Sequence, residues 1–485
     1  MVNRKIIFKI LGSLLFVEVL LFSVCLVLAF YFEENDKLAF ALSAAVAAAL
    51  GGLLTFFGRG ANNSISRRDS YLVTSLSWLL FSVVGMLPYI ISGYLPMVHD
   101  AFFETVSGFT TTGASIIDNI EKFPHGLRFW RCLSQWIGGL GIVLFTMALL
   151  PTVVTGETKL FAMEATGPKK TRLHPHIKTT IIALWSVYVL LTFACAVVLW
   201  LCGMNLFDSL AHALSTTSTG GFSTRQGGII GFHSAAIEYA EIFFMFLSGV
   251  NFAILYACIF RRKVKSFFCD TELRSYCLIV LVSSLLVALL LIFGSGWGIG
   301  HALRAAFFQI VSLQTTTGFY SEDFTMWIHP TWTILCFVMF IGACAGSTSG
   351  GIKTIRLVML VRLALNEFRR MLHPRAVLPI RINHQPVSNN LIHTLVAFVG
   401  IYVMLIVVGS FFFSLMGIDY WDSVSISVSS IGNVGPCIGP EYGGLHSWSA
   451  LPVAGKWLSS LLMIVGRLEV FTFLLLFMPS FWHEN

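Results

Sequence analysis

The sequence predicts an all-α polytopic membrane protein. Four pseudo-repeats of span, re-entrant half-helix and span surround one axis, with two additional N-terminal spans and ten spans in all. Three observations carry this expectation. First, 56% of the 485 residues are hydrophobic and 11% charged, with mean hydropathy +0.81, whereas soluble domains carry about 25% charged residues. Second, a short hydroxyl-and-glycine word recurs four times at intervals of roughly 100 residues, the signature of a repeated unit. Third, Arg and Lys collect in alternate loops, as the positive-inside rule requires.

The leading segment, 1–70, holds spans at Ile6–Phe32 and Leu38–Phe57. The first run is longer than a signal-peptide core and has no clear cleavage site, so it is expected to be retained. Lys9 can snorkel from its end. Glu18 sits near mid-depth and takes no assigned role. Arg59, Arg67 and Arg68 mark the following loop as cytoplasmic.

Unit one (71–155) has a span at Tyr71–Ile91, a short segment at Asp100–Phe109, the word Thr110-Thr111-Thr112-Gly113 and a span at Phe129–Leu150. The short segment cannot cross, because a span needs about 20 residues. Unit two (156–265) gives Ile177–Leu201, Leu206–Thr216, the word Thr217-Ser218-Thr219-Gly220 followed by Gly221, and Ile237–Phe260. Unit three (266–385) gives Tyr276–Phe293, His301–Leu313, the word Thr315-Thr316-Thr317-Gly318 followed by Phe319, and a span from Trp327 onward. Unit four (386–485) gives Leu391–Met416, Trp421–Val428, the word Ser429-Ser430-Ile431-Gly432 followed by Asn433, and Trp457–Met478. Units one and three share Ala-Phe-Phe-x-x-Val-Ser-x-x-Thr-Thr-Thr-Gly without a gap, from Ala101 and from Ala306.

The inter-unit loops carry Lys159, Lys169, Lys170, Arg172 and Lys178, then Arg261, Arg262, Lys263, Lys265 and Arg274, then Arg369, Arg370, Arg375 and Arg381. All belong on the cytoplasmic side, with both termini. The net charge of +7 thus reflects topology, and nucleic acid is not an expected partner. The half-helices then enter from outside. Ten cysteines show no CxxC and no zinc spacing, so free thiols are expected. Neither a catalytic cluster nor a metal cluster is legible.

A permeating cation must exchange its water for other oxygens, and backbone carbonyls from four loops can supply them. Each half-helix aims its negative end at its word, which favours a cation. Hard oxygens without a carboxylate ring suit a large monovalent ion. One such word alone is an ordinary turn; four in register point to a pore. Glycines at Gly138-Gly139, Gly249, Gly342 and Gly466 fall at comparable depth in the closing spans, as close helix packing requires.

Two features break the symmetry. The run Gly342 to Gly351, including Gly346, Ser347, Thr348, Ser349 and Gly350, is entirely small and interrupts the third closing span. It reads as a broken, mobile segment beneath the words. Its glycine spacing approaches a phosphate-binding loop, but Ile352 intervenes before Lys353-Thr354 and no strand precedes it. Arg467 lies inside the last span. Intramembrane charges usually face a cavity, so its charge is expected beside the pore.

The four units, the two leading spans and the threonine–glycine words resemble the Trk/Ktr/HKT superfamily of potassium transporters, most closely its bacterial Trk type, over essentially the whole chain. The resemblance implies K+ as the transported ion and no organic cofactor. It implies a carbonyl-lined filter with one glycine per unit, placed by motif at Gly113, Gly220, Gly318 and Gly432. Thr111, Thr112, Ser218, Thr219, Thr316, Thr317, Ser430 and Ile431 would supply ion-facing oxygens, with Gly221, Phe319 and Asn433 beside them. The small-residue run from Gly346 to Gly351, with Lys353, resembles an intramembrane gating loop, and Arg467 a pore arginine. The resemblance also implies a bacterial inner-membrane location, a homodimer and a cytosolic nucleotide-binding regulatory subunit of the TrkA type. Both channel conduction and proton- or sodium-coupled symport remain open. Glu104, Asp208, Asp419 and Asp422, at or near half-helix starts, read as caps.

Overall fold

The structure, a computed structural model, describes residues 2–61, 65–141, 177–262, 264–376, 378–383, 385–444 and 446–482. The far end of the expected span Phe129–Leu150, the basic residues Lys159 to Arg172 with Lys263, and the 155/156 unit boundary lie outside the described residues.

Apolar runs become helices because every backbone polar group in a bilayer needs an internal partner. The leading pair, Arg4–Tyr31 and Lys37–Phe57, forms a tight antiparallel hairpin. Gly12 allows the close crossing: a Cβ there would stand 2.8 Å from the Gly51 carbonyl oxygen. Glu18 is fully buried, and its carboxyl oxygens have no hydrogen-bond partner among the described residues.

The opening helices of the four units are Arg67–Ile91, Ile177–Leu201, Thr271–Ser295 and Asn389–Leu415. The half-helices are Val98–Phe109, Leu206–Thr217, Ile299–Gln314 and Tyr420–Gly432. Among the described residues, six helices are long and apolar enough to cross a membrane. Two more candidates are bent pairs. Ala235–Ser248 meets Phe252–Ile259 at 103°, and Val453–Arg467 meets Phe471–Phe477 at 108°. Shorter helices, His125–Leu140 and His329–Ile341, take the closing positions of units one and three.

The straight closing spans expected at Ile237–Phe260 and Trp457–Met478 are therefore broken. The second break places Glu469 and Val470 at φ +53° and +57°, a conformation costly for a β-branched residue. Each break lies where the helix meets the end of a half-helix. A Cβ on Gly249 would stand 2.9 Å from Thr315 Cγ2, and one on Gly466 2.0 Å from the Ile431 carbonyl oxygen; in the first closing helix, one on Gly138 would stand 1.8 Å from that of Phe109. The sequence expectation that these glycines serve close packing agrees with those contacts.

Gly466→Ala is expected to lower stability by about 1–3 kcal/mol, because the two nearest atoms the new methyl meets are backbone. Thermal unfolding in detergent, followed by tryptophan fluorescence, measures this.

Candidate ion pathway

Four loops leave the half-helix ends with one shared conformation. Thr111, Thr219, Thr316 and Asn433 adopt φ +54°, +54°, +57° and +53°. Two residues later stand Gly113, Gly221, Gly318 and Gly435, at φ +84°, +81°, +83° and +104°. The amides of Thr112, Gly220, Thr317 and Val434 bond back to the carbonyls of Ser107, Ser215, Ser312 and Ser429, at 2.9, 2.8, 2.9 and 3.0 Å. These serines fix the register.

The loops form a closed circuit. A Cβ on Gly113 would stand 2.1 Å from the Gly220 carbonyl oxygen. One on Gly221 would stand 2.0 Å from that of Thr317, one on Gly318 2.2 Å from that of Val434, and one on Gly435 2.4 Å from that of Thr112. Each unit thus abuts the next, and the fourth returns to the first. β-Branched residues at positive φ are strained and persist only when surroundings hold them.

Two expected positions shift. The ring glycine of unit two is Gly221, with Gly220 one step earlier lending its carbonyl. That of unit four is Gly435. Ser430, Ile431 and Gly432 belong to the last helical turn, and the Gly432 carbonyl accepts from the Gly351 amide at 3.0 Å. The half-helix of unit four continues four residues past the expected Val428, which pushes the loop along the chain. The signal that finds the true register is a serine six residues before each ring glycine.

Side chains hold the loops from outside. Thr110 and Thr112 hydroxyls pair at 2.8 Å, as do those of Thr315 and Thr317. Ser107 and Ser312 donate to the Ala114 and Phe319 carbonyls. Unit two uses Gln135 instead: its Nε2 donates to the Gly220 carbonyl at 2.6 Å, and its Oε1 accepts from Phe222 N–H. In unit four Asn433 Nδ2 donates to Thr112 Oγ1 at 3.0 Å and to the Met463 carbonyl.

Glu104 is no cap. Its carboxylate pairs with Arg131 at 2.7 Å, both nearly fully buried, and accepts from Ile116 N–H. Arg131 in turn reaches the Ser223 carbonyl and stacks over Phe222. This pair ties units one and two beside the ring, and the sequence reading missed it. Asp208 lies in the first turn of its helix, which Asn205 caps, and accepts from Thr224. Asp422 holds the Glu441 and Tyr442 amides. Asp419 caps as expected, accepting from Trp421 N–H. A cavity of about 90 Å³ opens above the ring, lined by its four glycines, Arg131, Arg225 and Tyr320.

The TrkH family, described as "Cation transport protein", matches residues 36–484. The chain is 34% identical to the Trk system potassium uptake protein TrkH of Salmonella typhimurium over 487 residues, 99% of each chain. It is 32% identical to the Trk system potassium uptake protein TrkG of Escherichia coli, over 95% of this chain and 94% of that one. The crystal structure of the potassium transporter TrkH from Vibrio parahaemolyticus superposes with TM-score 0.89 and 31% identity, over 99% of both chains. This chain belongs to the TrkH family. It is a multi-pass membrane protein of a transport family, not of an enzyme family.

In this TrkH-family chain the helix of the third closing span stops at Ile341 and resumes at Thr354. The intervening loop lies against the ring from the side of the closing-helix breaks. Gly350 N–H donates to Thr316 Oγ1 at 2.7 Å, and Thr348 Oγ1 donates to the Thr217 carbonyl at 3.1 Å. Lys353 is buried, at φ +83°, and its amine donates to the Ser349 carbonyl. Ser347 and Ser349 hydroxyls pair at 2.9 Å. Gly346 accepts from Phe252 N–H. Arg467 ends the helix Val453–Arg467, and its guanidinium donates to the Thr348 carbonyl at 3.0 Å and to the Gly138 and Gly139 carbonyls at 2.6 Å each. Glu469 pairs with Arg356. The loop and Arg467 together touch all four units.

Gly435→Ala is expected to cost about 2–3 kcal/mol through strain and backbone overlap. Gly432→Ala, in a helical turn, should cost under about 1 kcal/mol. Thermal unfolding of the pair tests the register.

Proposed function

We propose that this chain carries K+ into the cytosol across a bacterial inner membrane through the four-loop ring. The observation that carries this reading is the closed circuit of left-handed loops, each at the C-terminal end of a half-helix. Backbone that has left its helix at membrane depth presents carbonyls able to replace an ion's hydration shell. Four half-helix dipoles end there with negative poles. The names of the relatives supply the ion. An inside-negative voltage supplies about 2.3 kcal/mol per charge per 100 mV, enough for roughly 50-fold accumulation. Conduction needs no chemical step on this chain.

The loop between Ile341 and Thr354 is the gate in this reading. Its bonds to the Thr217 carbonyl, Thr316 Oγ1 and the Gly432 carbonyl support that reading. Arg467 sets a fixed positive charge against it, which opposes a resting cation. The exposed residues Arg261, Arg262, Arg369, Arg370 and Arg375 offer docking for a cytosolic nucleotide-binding subunit of the TrkA type, and the chain acts as a homodimer. A second reading, proton-coupled symport, is favoured by one observation. Glu241 is fully buried in the second closing helix and accepts from Thr216 Oγ1 at 2.7 Å, at the end of a half-helix.

Tracer rubidium uptake into reconstituted vesicles separates the two. Conduction predicts uptake that follows voltage and the K+ gradient and ignores pH and sodium gradients. Uphill uptake driven by a pH gradient at zero voltage contradicts it. Arg467→Ala is expected to raise rubidium flux about tenfold, the effect of some 1.4 kcal/mol. Unchanged flux would remove Arg467 from the mechanism.

A further inference from the structure

A carboxylate near the cytoplasmic surface grips both ends of the intramembrane loop. Glu272, in the first turn of the helix Thr271–Ser295, is 7% exposed. Its Oε1 accepts from Ala345 N–H at 2.6 Å, inside the loop, and from Ile355 N–H at 3.3 Å, just beyond it. One oxygen therefore fixes the span that the loop must bridge.

The turn carrying Glu272 is itself held from the cytoplasmic side. Strand Arg381–Ile382 pairs antiparallel with Gln385–Pro386. Next to it Asn383, at φ +48°, donates through Nδ2 to Asp270 at 2.7 Å and accepts through Oδ1 from Thr271 N–H at 2.8 Å. Arg362 and Asn366, on the helix after the loop, bond the Arg381 and Leu378 carbonyls. A second, independent observation joins the same parts. Loop residue Ala345 belongs not to the main core but to a separate apolar cluster with Ile355, Met359, Ile380, Ile382, Val387 and Leu395. Beneath the loop, hydrogen bonds and apolar packing thus run through one surface hairpin.

We infer that the hairpin around Asn383, together with Glu272, is a latch that positions the intramembrane loop against the ring, so that lifting the hairpin releases the loop. Glu272 and Asn383 are positioning residues; neither touches the ring. The inference rests on the reading of that loop as the gate. The hairpin is where a cytosolic partner with an acidic surface gains leverage, since Arg381 is exposed on it and Arg369 and Arg370 are exposed on the helix bonded to it.

Cys344 lies in the loop and is 1% exposed, which provides a readout independent of ion flow. In the full chain with the other cysteines replaced by alanine, reconstituted in vesicles, labelling by a membrane-permeant maleimide reports loop release. Glu272→Ala and Asn383→Gly are each expected to raise the labelling rate about fivefold, with rubidium flux rising in step. Gly tolerates the positive φ at position 383, so only the side-chain bonds are lost. Glu272→Gln, which keeps an acceptor without the charge, should fall between. Should Glu272→Ala not fold, the surface variant Asn383→Gly carries the test alone. Unchanged labelling in folded Asn383→Gly overturns the latch, as does a flux change without a labelling change. Faster labelling in vesicles that carry no rubidium, parent included, supports the latch and sinks the conduction reading instead.

Discussion

A polypeptide that abandons its helix at membrane depth must find every lost hydrogen bond within the protein. This chain does so four times around one axis, and the rest of the fold serves that need. Amides in the four loops return to Ser107, Ser215, Ser312 and Ser429 carbonyls. Glycines let each loop abut the next at backbone distance. Gly138 and Gly466 then admit half-helix ends, and the second and fourth closing helices bend sharply after Ser248 and Arg467.

The four quarters solve the same problem with different chemistry. Units one and three pair threonine hydroxyls. Unit two brings in Gln135 from the preceding unit. Unit four uses Asn433, a residue that tolerates the left-handed turn and whose amide bridges to Thr112. Among the described residues, only unit three opens a long loop below this unequal ring, and only unit four sets an arginine against it. In the proposed conduction reading, asymmetry of that kind obstructs one side of the ring while the ring backbone stays fixed.

The architecture was legible because bilayer constraints write themselves into composition, charge alternation and a repeated word. Opening spans and half-helices fell within a few residues of expectation for that reason. Register in units two and four was not legible from the word alone. The doublet Gly220-Gly221 offers two glycines to one template. In unit four the word's own glycine, Gly432, stays helical while Gly435 takes the ring position. The Glu104–Arg131 pair escaped because its partners are 27 residues apart with a loop between them. The helix breaks near Gly249 and Glu469 lie inside runs apolar enough to read as single spans, which hid them. The Asn383 hairpin joins residues more than 100 positions apart, and its short strands carry no sequence signal.

The central claim is that the ring of Gly113, Gly221, Gly318 and Gly435 with its neighbouring carbonyls holds the permeating ion. Anomalous diffraction from crystals grown in rubidium tests it directly. The account predicts a peak on the axis enclosed by the backbone of 111–113, 219–221, 316–318 and 433–435. Ordered ions elsewhere in the protein, with none inside that ring, would contradict it.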